Sequence, residues 1–192
     1  IKPTPSIGGV GLIKNYNQMI TMDFKEINNH VLIIGKTEGH LDQSLFARTI
    51  LNEKNGPPPE INLFNEKNNG ETLLQLINNN YVKSAHDVSL GGIITAISKM
   101  CIKGNKGIEF NKPKYSLSVI EYLLSEDQGR YIIEINPSDL KEVVKILEKN
   151  SVHFEELGKI IDKHMIIDKK TKVTIDELKG FNTKWLKEYM SN

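Results

Sequence analysis

The sequence has one cysteine, Cys101, among its 192 residues, so it cannot form an internal disulfide. That usage suits a reducing, cytosolic compartment. Long hydrophobic runs are missing too. Val31-Leu32-Ile33-Ile34 falls far short of the ~20 apolar residues a membrane-spanning helix needs, which excludes such a span. Neither charge is in excess: 25 Lys+Arg stand against 24 Asp+Glu, a formal +1 with neutral His. This balance argues against a duplex-DNA footprint and against an acidic solvating tail. The histidines (30, 40, 86, 153 and 164) are scattered, and one thiol cannot build a thiolate cluster, so a structural zinc is not expected. No signal peptide opens the chain, and residue 1 is Ile rather than Met, which leads us to expect a processed chain or a piece of a longer one.

What is present is ordinary globular material: 39% hydrophobic, 26% charged, with 14 Gly and 7 Pro, at a mean hydropathy of −0.35. A chain of this length can bury roughly 70% of the surface its unfolded form exposes, enough for a sizeable core without staples. Lys2-Pro3-Thr4-Pro5 is held extended by its prolines and reads as a linker over residues 1–6. The apolar run 6–13, broken by Gly8, Gly9 and Gly11, reads as strand-like. Further strands are expected at 19–22, 30–35, 81–86, 108–110, 131–135, 152–161, 165–167 and 173–175. Helices are expected at 42–51, around Leu73 to Ile77, after Gly92, at 115–124, from Asn136, and from Asp176 onwards. After Gly92, apolar residues at 93, 96, 97, 100 and 101 fit one helical face. Asn136-Pro137-Ser138-Asp139 suggests an N-cap, then Pro at the first helical position. Such alternation excludes all-α and all-β folds and predicts an α+β domain, a mixed sheet flanked by helices, over residues 7–192.

Local motifs carry different weights. Gly35-Lys36-Thr37 imitates the end of a phosphate-binding loop, but the required first glycine falls on His30. His86, Asp87 and Ser89 invite a hydrolase reading that lacks the G-x-S-x-G elbow. Asp87-Val88-Ser89-Leu90-Gly91-Gly92 joins a strand to an amphipathic helix. Such a junction offers free backbone N–H groups and the positive end of a helix dipole to a phosphate, or it is simply a capped turn. Asp87 would then either hold Mg²⁺ or cap the helix. Ser125-Glu126-Asp127-Gln128-Gly129-Arg130 either organises a hydroxylated, phosphorylated ligand or forms a solvated turn with Arg130 paired to Glu126.

As an ordered set these stretches resemble one family. Pro3-Thr4-Pro5-Ser6-Ile7-Gly8-Gly9-Val10-Gly11-Leu12-Ile13, Gly39-His40-Leu41-Asp42-Gln43-Ser44 and Gly56-Pro57-Pro58-Pro59 are similar to successive segments of the phosphoribosylformylglycinamidine synthase family, synthetase subunit. So are Ala85-His86-Asp87-Val88-Ser89-Leu90-Gly91-Gly92 and Glu126-Asp127-Gln128-Gly129-Arg130, and the resemblance covers about residues 1–160. It implies the C-terminal domain of the aminoimidazole ribonucleotide synthetase-like fold. The implied activity is ATP-dependent amidation of formylglycinamide ribonucleotide in purine biosynthesis, a cytoplasmic step using Mg²⁺. The implied partners are upstream domains of the same synthetase and a glutaminase subunit supplying ammonia.

The family's catalytic histidine and main ATP-binding residues lie upstream, so the resemblance implies no catalytic residue here and an inactive isolated fragment. It makes Asp87, Ser89, Gly91, Gly92, Glu126 and Gln128 ligand-loop candidates at a pseudo-symmetric nucleotide site, with Asp87 the candidate Mg²⁺ ligand. Two departures stand out: Leu90 replaces the usual aspartate, removing one possible Mg²⁺ ligand, and Ser125 stands where glycine is common. Selenophosphate synthetases and thiamine-monophosphate kinases also end in such a domain, but the 39–44 and 126–130 strings suit them poorly. A non-catalytic nucleotide-binding or interaction domain is the remaining alternative.

Overall fold

The computed structural model describes residues 7–13, 15–111 and 116–191. The expected linker at 1–6 and the start of the helix expected at 115 lie outside these residues. Seven strands form one sheet in the order β2-β4-β1-β5-β3-β6-β7. They are β1 (His30–Ile34), β2 (Val82–Asp87), β3 (Gly107–Phe110), β4 (Tyr131–Ile135), β5 (Phe154–Ile161), β6 (His164–Ile167) and β7 (Thr171–Thr174). All neighbours run antiparallel except β3 and β6, so the sheet is mixed as expected.

The sheet is covered on both faces, which explains why β1 is a continuous apolar run rather than an alternating one. Val31 and Ile33 join Ile132, Leu157 and Ile160 in one core cluster, whereas Leu32 and Ile34 join Ile133 and Ile135 in the other. The first cluster is closed by helices α3 (Gly92–Gly104), α4 (Val119–Leu124) and α6 (Ile175–Met190). The second is closed by α2 (Leu63–Asn78) and α5 (Leu140–Lys149). A short helix, α1 (Leu45–Thr49), completes the set. Every apolar position expected on the inner face of α3 is buried.

Several boundaries differ from the sequence reading, each for a local reason. Residues 19–22 are not a strand. They lie irregularly beside β2, where the Thr21 carbonyl accepts a bond from Ala85 N–H (3.2 Å). The run 7–13 pairs with no strand, and its apolar side chains are exposed. The helix expected at 42–51 is confined to α1, because the Ser44 side chain caps it by accepting from Ala47 N–H. The helix expected at 115–124 begins only at Val119, behind a Ser118–Glu121 capping box. Asn136 does not cap α5. Its carbonyl accepts from Asp139 N–H (3.0 Å), which places Pro137 at the second position of a turn, and the helix starts at Leu140.

A buried carboxylate ties the irregular segment 24–29 to the sheet. Glu134 on β4 is fully buried. Its oxygens accept from the backbone N–H of Lys25 (2.9 Å) and Glu26 (3.0 Å), from Asn29 Nδ2 (2.7 Å) and from Ser84 Oγ (2.7 Å). These donors replace the water a buried charge has lost. Glu134→Ala would strand them in the interior. It should lower unfolding stability by about 3–5 kcal/mol in urea denaturation, well beyond an exposed Glu142→Ala control.

Candidate functional site

The site is built at the ends of β4, β1 and β2, where the loop 125–130 enters β4. Its organising group is the Arg130 guanidinium, which is fully buried. Nε donates to the Asp127 carbonyl (3.0 Å) and Nη2 to the Ser125 carbonyl (2.8 Å). Nη1 donates to Thr37 Oγ1 (3.1 Å) and lies 3.6 Å from Asp127 Oδ2. Burial pulls this guanidinium below its usual pKa, and the Asp127 carboxylate opposes that pull. Arg130 therefore pairs with Asp127, not with Glu126 as one sequence reading had it, and the turn is not a solvated one.

The two carboxylates gather amides from turns far away in sequence. Asp127 accepts from the backbone N–H groups of Glu38 (3.0 Å), Gly39 (3.2 Å) and His40 (3.1 Å). Glu126 Oε1 accepts from Leu45 N–H (2.7 Å) and from Gly91 N–H (2.8 Å). Gly91 is the N-cap of α3, so an anion does sit at this helix end, and it is the chain's own carboxylate. Gly91 and Gly92 have φ of +84° and +70°, left-handed values that L side chains resist. A Cβ on Gly92 would come within 2.6 Å of the Ser125 carbonyl oxygen, so the turn and the 125–130 loop touch backbone to backbone.

The six candidates are therefore placed unequally. Glu126, partly buried, is brought together with the buried Gly91 and Gly92. Ser89 is exposed, with its carbonyl accepting from Gly92 N–H (3.0 Å). Gln128, whose Nε2 donates to the Glu126 carbonyl (3.3 Å), faces a polar groove of about 840 Å³ together with Lys36, His40, Glu66 and Asp127. Asp87, with 63% of its side chain exposed, opens onto a different depression of about 700 Å³, shared with Thr21, His86, Lys103 and Tyr131. There the His86 ring is 9% exposed and its two nitrogens make no hydrogen bond, although Nδ1 lies 3.1 Å from Asp87 Oδ1. Burial, then the carboxylates of Glu66 and Asp87, hold the Tyr131 phenol above its usual range.

A metal is poorly provided for. Among the described residues no three His, Cys, Asp or Glu side chains are grouped to hold one. With Leu90 next in the turn, Asp87 offers a single carboxylate. Mg²⁺ characteristically takes one or two carboxylates plus ligand phosphates and water, so further ligands would have to come from outside these residues. Sequence reasoning missed Thr37 and Ser125 as partners of Arg130 and missed Asn69, whose Nδ2 donates to the Gly129 carbonyl (2.9 Å).

A family model, AIR synthase related protein, C-terminal domain, matches residues 28–170, the span that holds the sheet and this site. The chain belongs to that family. A relative from Pelagibacter ubique (strain HTCC1062), phosphoribosylformylglycinamidine synthase subunit PurL, is 68% identical over 192 residues, which is all of this chain and 26% of the relative. The chain thus spans about a quarter of the length of such relatives. Among solved structures, T. maritima PurL complexed with FGAR superposes with a TM-score of 0.69 at 19% identity, covering 85% of this chain and 30% of that one. T. maritima PurL complexed with ATP gives 0.65 at 18% identity, covering 85% and 27%. At those identities the structures speak for the fold, and they bear out the α+β architecture of this C-terminal domain.

Arg130→Met should cost about 3–5 kcal/mol of unfolding stability, because it leaves the buried Ser125 and Asp127 carbonyls and Thr37 Oγ1 without their donor and removes the cation beside Asp127. Gly92→Ala should cost about 2 kcal/mol or more through its positive φ and its backbone contact. Both are read from urea denaturation monitored by circular dichroism. Burial pushes the Cys101 thiol up to about 12. It should therefore stay unreactive towards a thiol reagent at pH 8 in the folded protein and react promptly once urea unfolds it.

Proposed function

We propose that this chain is the C-terminal domain of a longer synthetase that converts formylglycinamide ribonucleotide to its amidine, with ATP and with ammonia from a glutaminase subunit. The reading is carried by the 68% identity, over the whole of this chain, with a relative named phosphoribosylformylglycinamidine synthase subunit PurL. That name favours the synthase over selenophosphate synthetases and thiamine-monophosphate kinases. In this reaction the amide oxygen is activated by phosphoryl transfer and ammonia then displaces phosphate. Such chemistry depends on positioned charge around the phosphoryl group.

Within that enzyme this chain supplies architecture and ligand-facing loops, and the reacting groups come from upstream domains. Residues 7–192 make up the domain, and residues 1–6 are the approach to it. Asp87, Ser89 and Gln128 are its outward-facing ligand-loop residues, and Asp87 would offer one carboxylate to Mg²⁺, which would supply charge neutralisation for a nucleotide's phosphates. Gly91, Gly92 and Glu126 set the height of the turn beneath them. The setting is cytoplasmic, in keeping with the lone, buried Cys101. Among the described residues no helix is long and apolar enough to cross a membrane.

The full-length synthetase should form ADP and amidine together when given formylglycinamide ribonucleotide, ATP and ammonia, whereas the 192-residue chain alone should form neither. Substrate-dependent ADP release by the chain alone would overturn this division of labour. In the full-length enzyme, Asp87→Asn should weaken calorimetric binding of Mg-ADP; unchanged binding would remove Asp87 from the ligand set.

A further inference from the structure

Helix α6 carries one apolar face along its whole length, and its own domain covers only the beginning of it. Ile175 is buried and Leu178 packs against the first core cluster. The same face continues through Phe181, Trp185 and Tyr189, which are 79%, 66% and 68% exposed, and is widened by Leu186 and Met190, also exposed. Trp185 and Tyr189 stack on each other with ring centroids 5.8 Å apart. Lys184 and Lys187 lie off the stripe, and Glu188, which pairs with Lys184 at 3.4 Å, borders it two turns beyond Phe181. The helix is firmly started by the Thr174–Glu177 capping box and held by Lys179 Nζ donating to Asn105 Oδ1 (2.6 Å). The overhanging stripe therefore belongs to an ordered, amphipathic element. It also lies beyond residues 28–170, the part that matches the family domain.

We propose that the aromatic face of α6 is an intrachain seat, covered by the preceding part of the synthetase polypeptide. The inference rests on the reading of this chain as one domain of a longer enzyme. The size of the patch selects the occupant. Side chains of this kind at these exposures present on the order of 600 Å². A stable dimer buries roughly 600–1,000 Å² from each partner, and a docked helix buries only part of its exposed face, so the stripe by itself falls below what a second copy needs. A separate subunit meets the same shortfall. A tethered body does not, because a linker raises its effective concentration to about the millimolar range. The required body exists in the relatives, since this chain spans 26% of their length. The composition fits as well: a cluster of aromatic and Met side chains marks the buried centre of an interface rather than a wet rim.

The test uses the full-length synthetase with single cysteines placed on α6: Tyr189→Cys and, as a second variant, Phe181→Cys on the stripe, and Lys184→Cys on the polar face. Maleimide labelling of each position is followed by peptide-resolved mass spectrometry, with Cys101 as the buried internal reference. Positions 189 and 181 should label about tenfold or more slowly than position 184, independently of protein concentration and without the glutaminase subunit. Equal rates would overturn the proposal. Protection lost on dilution would overturn it in favour of a second copy, and protection seen only with the glutaminase subunit would overturn it in favour of that partner. Amidine formation by the Lys184→Cys enzyme is measured alongside. Turnover with an unprotected stripe defeats the seat alone, and a protected stripe without turnover defeats the functional reading alone.

Discussion

At the site end of the sheet a guanidinium is buried beside the loop that carries it, and the carboxylates preceding it reach outward to the main chain of neighbouring turns. Arg130 bonds to two carbonyls of its own loop and to Thr37 on the segment following β1. Asp127 then accepts from residues 38–40, and Glu126 from residues 45 and 91. The charge on Arg130 is tolerable in the interior because every arm of it meets an oxygen. The carboxylates are tolerable because backbone amides, which cannot be titrated away, surround them. Removing the guanidinium would release the loop, and the loop is what fixes where α3 begins.

Glu134 solves a similar problem elsewhere in the sheet. There a buried carboxylate fastens irregular backbone at residues 25 and 26 beneath β2 and β4, without any cationic side chain among its hydrogen-bond partners. The two arrangements share a logic: segments with no regular pairing of their own are held by charge-assisted bonds from a well-packed strand or its entry loop. The apolar clusters supply most of the burial, and these carboxylates decide which irregular conformation is compatible with it.

This arrangement bears on the turn that gives the family its signature. A helix N-terminus is commonly a place for phosphate, but at α3 the Gly91 amide is already answered by Glu126. Asp87 and Gln128, both ligand-loop residues in the functional reading, open onto different depressions.

Short-range physics is legible in the order of the residues. The inner face of α3 follows from a 3.6-residue period, and the central position of β1 from an apolar run with no alternation, because both depend on neighbours in sequence. Local signals that fit two conformations misled: Pro137 has the same fixed φ at the second position of a turn as at the start of a helix, and the β-forming residues 19–22 found no strand to pair with. The roles of Glu126 and Asp127 were not legible at all. Most of their amide partners lie more than 80 residues away in sequence, as with Leu45 at 81 and Glu38 at 89, and the remaining one, Gly91, is 35 away. By itself the sequence determined most of the helices and strands and the family they belong to, since periodicity and ordered motifs are properties of the string. Only the tertiary structure decided which charges are structural and which face outward, because burial and the supply of backbone donors exist only once distant turns have been brought together.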